Sequence, residues 1–68
     1  MNKSILTTRE REIFNLLIQN YSTRQIAKQL KISEKTVRNH ISNVIQKLGV
    51  DSRIQAVFEL IRLKELHI

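Results

Sequence analysis

Arg38 and Asn39 stand side by side, with Ser42 one helical turn further on, and no acidic residue falls between Lys35 and Lys47. An arginine can place two N–H donors on guanine O6 and N7. An asparagine can donate and accept at adenine N6 and N7. Side chains of this kind at this spacing suit the reading of base edges, and Ser42 can add a third contact. Around them, Thr23, Lys28, Lys35, Thr36, His40 and Lys47 offer hydroxyl, ammonium and imidazole groups suited to phosphate oxygens. Such contacts orient a protein on a duplex without reading its sequence. The plainer alternative is a solvated polar face, with Thr36 serving as a cap and His40 partly packed beside an apolar stripe. Enzyme chemistry finds little support. There is no cysteine, Gly49 is the only glycine, and His40 and His67 lie on different helices without a paired acid motif. No metal, cofactor or small-molecule ligand is expected, and 68 residues leave little room for a pocket.

The base-reading residues need a helix held at a fixed angle. Residues of about 23–30 and 34–48 read as two helices joined by some three residues, the spacing of a helix-turn-helix. Steric fit dictates the corner. Ala27 is small where the helices cross, Ile32 plugs the turn, and Val37 packs back from the start of the second helix, with Ile26 and Leu30 completing the wedge. The turn glycine of many such motifs is absent, because Lys31 precedes Ile32.

Helix starts are legible throughout. Thr7 is followed by Glu10, Ser22 by Gln25 and Ser52 by Gln55, each three residues on, as in a capping box. Ser33 is a fourth N-cap, with Glu34 in the first turn. These caps predict helix one over about 8–19, with Ile13, Phe14 and Leu17 inward. Helix three follows with a stripe of Val37, Ile41, Val44 and Leu48, and helix four spans about 53–65. Asn20 and Gly49 suit left-handed helix ends. The fold class is therefore all-α, four helices in one domain over 1–68, with helix two as scaffold and helix three as recognition helix.

Composition agrees. Proline is absent and 41% of the residues are hydrophobic, enough for a core. The net charge is +6, and its placement matters more than its sum. Arg24 to Lys47 carries six basic residues against Glu34 alone, a local +5, which leaves +1 for the rest of the chain. A basic excess confined to the middle suits a polyanion. RNA is a poorer fit, because Phe14 and Phe58 read as buried and leave no stacking platform. No signal peptide or membrane span is evident, and the lack of cysteine fits the cytoplasm.

The segments Leu6–Glu12, Gln25-Ile26-Ala27, Ile32–His40, Lys47–Val50 and Arg53–Val57 together resemble the LuxR-type DNA-binding domain, over almost the whole chain from Leu6 to about Leu63. The resemblance implies a four-helix LuxR-type helix-turn-helix domain that binds double-stranded DNA and regulates transcription as a dimer. It implies base contacts from Arg38, Asn39 and Ser42, and backbone contacts from Thr23, Lys35, Thr36, His40 and Lys47. RNA polymerase is a candidate further partner, and the nucleoid the implied place of action. The chain departs from the family pattern in having Asn20-Tyr21 for a glycine, Gln25 for a glutamate and Arg38 for a lysine, so a sequence preference does not carry over. Members commonly carry a receiver or ligand-sensing domain ahead of this one. Here five residues precede Leu6, which leaves open a complete protein or an excised domain.

Helix four is more apolar than a four-helix core requires. At 100° per residue, Ile54, Val57, Phe58 and Ile61 form a stripe expected to face the core. Ala56, Leu60, Leu63 and Leu66 form a second stripe expected to face a symmetry mate in a homodimer. The alternative function is a helical protein–protein adaptor, which accounts for the second stripe but not for basic charge confined to the helix-turn-helix.

Overall fold

Each helix of this protein begins on a hydroxyl. The structure, a computed structural model, describes residues 4–67 and holds α1 (Thr8–Ile18), α2 (Thr23–Leu30), α3 (Glu34–Leu48) and α4 (Arg53–Arg62), with no strand among the described residues. Thr7 Oγ1 accepts from the Glu10 amide at 3.1 Å, and Glu10 Oε1 accepts from the Thr7 amide at 2.9 Å. Ser22 and Gln25 make the same reciprocal pair at 3.1 and 2.9 Å. At α4 the box is half closed. Ser52 Oγ accepts from Gln55 N at 3.3 Å, but the Gln55 side chain reaches one residue further back, to the Asp51 amide at 2.9 Å. At α3, Ser33 Oγ accepts from Thr36 N at 3.0 Å and donates to Thr36 Oγ1 at 2.9 Å.

The four helices also end alike. Asn20, Lys31, Gly49 and Lys64 take left-handed φ values of 72°, 60°, 69° and 61°. The next amide in each case bonds the carbonyl five residues back: Tyr21 to Leu16, Ile32 to Ala27, Val50 to Ile45 and Glu65 to Leu60, at 3.1, 3.0, 3.2 and 2.8 Å. This is the Schellman reversal, which satisfies carbonyls the helix leaves orphaned. It also sends the chain back over the core, where Tyr21, Ile32 and Val50 pack half-buried.

Helix α3 is the central member and packs on each of the other three. Leu6, Ile13, Phe14, Ile26, Ala27, Val37, Ile41, Val44, Ala56, Leu60 and Leu66 form the buried core. The faces of α4 correct the expectation drawn from its periodicity. Ala56 and Leu60 are fully buried and Leu66 nearly so, whereas Ile54 and Phe58 are each 65% exposed. Ala56, Leu60 and Leu66 therefore belong to the monomer core and not to a dimer interface. Leu63, 40% exposed, is the member of that set left at the surface. The buried stripe carries a small residue, Ala56, which lets a helix approach its neighbours closely, where the other stripe offers only Ile54, Val57, Phe58 and Ile61. Leu66 is not on the helical stripe at all. The helix stops at Arg62, and the reversal at Lys64 folds Leu66 inward.

Two polar clasps close the molecule. Lys47, near the end of α3, donates to Glu10 Oε1 at 2.7 Å and to the Ile5 carbonyl at 2.9 Å. Glu10 is only 4% exposed. Burial pushes its carboxyl up, but the Lys47 ammonium and the amide and hydroxyl of Thr7 outweigh that and hold it below its ordinary value. At the other end, Glu65 Oε1 accepts from Ser4 Oγ at 2.6 Å and from Arg11 Nη2 at 2.6 Å, and Arg11 also donates to the Glu65 carbonyl. The Ser4 hydroxyl and the Arg11 guanidinium hold the Glu65 carboxyl low. These clasps tie Ser4 and α1 to Glu65, and Ile5 and α1 to α3. No described helix is long and apolar enough to cross a membrane.

Candidate nucleic-acid interface

The corner between α2 and α3 is built as the steric argument requires. Ile26 and Val37 are fully buried and Ala27 is 6% exposed, while Leu30 and Ile32 pack half-buried against them. Lys31 takes the left-handed turn position itself. A lysine there costs on the order of 1 kcal/mol relative to glycine, because its Cβ crowds the following carbonyl. The wedge supplies that energy, since α2 and α3 cannot bury Ile26 and Val37 against each other without the reversal.

With Val37, Ile41 and Val44 inward, the rest of α3 is turned out. Lys35, Arg38, Asn39, Ser42, Asn43 and Gln46 are all exposed. Arg38, Asn39 and Ser42 therefore share one accessible face, which none of the described residues covers. The phosphate-holding candidates divide. Lys28, in the last turn of α2, and Lys35, in the first turn of α3, are exposed. Thr23, Thr36 and His40 are half-buried. Thr36 is occupied in capping through Ser33, and Lys47 is engaged by Glu10 and Ile5. Lys47 has three N–H donors, and two are used inside the protein.

Three features, one on the α3 face and two elsewhere in the molecule, lie beyond the sequence reading. Glu34 Oε1 lies 3.2 Å from Arg38 Nη1, so the base-reading candidate is already held by a neighbour. Their i,i+4 spacing was the available signal. Glu10 caps α1 and also pairs with Lys47, a contact across 37 residues that has no local signature. Phe58, expected in the core from its stripe, is open to solvent.

The comparisons with known proteins agree with this geometry. Residues 4–60 match the family model described as bacterial regulatory proteins, luxR family. The chain is 61% identical over 67 residues to the spore germination protein GerE of Bacillus subtilis (strain 168), covering 98% of this chain and 90% of that one. It is 53% identical over 58 residues to the transcriptional regulatory protein DegU of Brevibacillus brevis, covering 85% of this chain but a quarter of that one. A solved structure of the transcription factor GerE superimposes with a TM-score of 0.93 at 69% identity, covering 96% of this chain and 97% of that one. The response regulator ChrA of a heme-sensing two component system superimposes with a TM-score of 0.84 at 38% identity, over 97% of this chain and 33% of its own. With a four-helix core, a wedged α2–α3 corner and likeness along nearly its full length, the chain belongs to the luxR family of bacterial regulatory proteins and is a DNA-binding transcription regulator.

Proposed function

We propose that the protein binds double-stranded DNA as a homodimer, with α3 in the major groove and Arg38, Asn39 and Ser42 on base edges. The carrying observation is that Ile26, Ala27 and Val37 of the wedge are buried while those three side chains are exposed on one face. Lys28 and Lys35, both exposed, would hold phosphates in this reading, with Thr23, Thr36, His40 and the remaining donor of Lys47 in supporting roles. Action on DNA sets the working place at the nucleoid, in the cytoplasm, and RNA polymerase is the natural second partner for a regulator bound at a promoter.

The dimer reading rests on α4. Ile54 and Phe58 are 65% exposed, with Val57 and Ile61 half-buried beside them. A shallow groove of about 440 Å³ continues from Ile54 and Val57 to Leu17, Ile18 and Tyr21 at the end of α1. An exposed apolar stripe of this kind marks an interface, and a two-fold axis through it makes the same patch serve both protomers. Two copies of α3 would then reach successive major grooves about 34 Å apart.

Titration of the protein with random-sequence duplex DNA at low and moderate salt is the direct test. Phosphate contacts release counterions, so affinity is expected to fall by orders of magnitude between about 50 and 200 mM salt. An affinity indifferent to salt refutes DNA binding through this face and favours the protein–protein adaptor.

A further inference from the structure

Glu34 is the one acidic residue between Arg24 and Lys47, and it stands in the first turn of α3, on the basic face. Its carboxylate lies one turn before Arg38, with Oε1 accepting from Arg38 Nη1 at 3.2 Å. Both side chains are well exposed, at 57% for Arg38 and 41% for Glu34. An exposed pair of this sort adds little to folding, and a negative charge on a surface meant for phosphates weakens binding to any DNA. Helix stability accounts for some of it, since a carboxylate is favoured beside a helix N-terminus. That role needs no arginine four residues later.

We infer that Glu34 is a positioning residue for base recognition, which tethers Arg38 so that its guanidinium meets a guanine edge already oriented. The inference rests on Arg38 as a base reader. A guanidinium carries five N–H donors in a rigid fork, so one bond to Glu34 leaves enough for a bidentate contact to O6 and N7. Free arginine side chains lose several rotamers on binding, and a tether made before the encounter removes part of that loss. The tether also lowers the reach of Arg38 toward phosphates. The charge on Glu34 further repels the backbone wherever no base contact compensates. Both effects raise the ratio of specific to non-specific affinity, the quantity that matters among competing genomic sites.

The test uses the full chain and a duplex selected by the wild-type protein from a random pool, beside a random duplex. Three variants are compared: Glu34→Ala, Glu34→Asp and Arg38→Gln, together with the double variant E34A/R38Q. Glu34→Ala is expected to bind random duplex about twofold more tightly, since a unit charge near 10 Å from phosphate in water is removed. It should lose about twofold to fivefold in discrimination at the base pair that Arg38→Gln also relaxes, the scale of an exposed ion pair. Glu34→Asp, which keeps the charge and a shorter tether, should restore most of that discrimination. In the Arg38→Gln background, Glu34→Ala should leave base preference unmoved. A purely helix-stabilising Glu34 would lower the melting temperature and weaken both duplexes alike, which overturns the inference. Loss of discrimination that persists in the Arg38→Gln background also overturns it, because Glu34 would then touch the base itself. If Arg38→Gln relaxes a base pair and Glu34→Ala does not, the tether alone falls. If Arg38→Gln relaxes none, the reading of Arg38 falls and the tether with it.

Discussion

Lys31 and Gly49 perform the same task with different chemistry. Both sit in the left-handed region, at φ of 60° and 69°, and both let the next amide turn back to its helix. Space is not what separates them, since a Cβ on Gly49 would meet nothing within 4 Å. The difference is the local clash between Cβ and carbonyl that glycine lacks. Lys31→Gly should therefore stabilise the fold by about 0.5–1 kcal/mol, less what glycine adds to the entropy of the unfolded chain. Thermal melting should show a rise of a few degrees. A fall would mean that the Lys31 side chain contributes more than its backbone costs.

Glu10 carries a second prediction at this scale. Its folded carboxyl titrates below the ordinary 4.5. The unfolded chain thus binds more protons in acid, and the Glu10 contribution is complete above the unfolded value and is lost as pH falls through the lower folded one. Glu10→Gln removes the charge and leaves Lys47 facing an amide. It should cost about 1–2 kcal/mol near neutrality, discounted because Lys47 is one-third exposed, and should flatten the acid limb of stability. Urea melts at pH 7 and pH 3.5 measure both. An unchanged acid limb would move its origin to Glu65 and Glu59, which are also held low.

At the scale of elements, legibility followed the locality of the signal. Caps at Thr7, Ser22, Ser33 and Ser52 are readable because the hydroxyl and its amide are three residues apart, and all four form. The bounds of α2 and α3 agree with the reading from Ser22 and Gly49. The wedge of Ala27, Ile32 and Val37 was readable because a three-residue corner leaves one steric solution. The orientation of α4 was not. Both of its stripes are apolar, and periodicity gives two faces without saying which meets α3. Ala56 is the one small residue on either stripe and lies on the buried one, a signal too weak to read before the fold is known. The end of α4 was also misplaced by three residues, since Lys64 in a left-handed conformation has no sequence mark. The Lys47–Glu10 and Arg11–Glu65 clasps join distant positions and were invisible for that reason. One consequence is testable at the α2–α3 corner. Ala27→Leu forces three extra carbons into a packed corner and should destabilise by about 1–3 kcal/mol, with DNA affinity lost as α3 tilts. Retained affinity at full stability would show that the corner has slack.

At the scale of the whole molecule, the exchange of α4 faces changes which residues govern assembly. Leu60 lies fully within the monomer core, so a charge there should unfold the chain, and loss of dimer in that variant would carry no information. Phe58 is 65% exposed in the monomer, so Phe58→Glu should leave the folded monomer intact and place like charges against each other across a two-fold axis. The expected result is a monomer in sedimentation with unchanged helical content. Its DNA binding should divide. Affinity for a single half-site depends on α3 and should stay at the wild-type level. Affinity for a duplex with two half-sites about 34 Å apart should fall by about 100-fold, because the second recognition helix no longer arrives at high effective concentration. If Phe58→Glu remains dimeric while Leu63→Glu does not, the axis passes nearer the end of α4, and the spacing of half-sites must be redrawn accordingly.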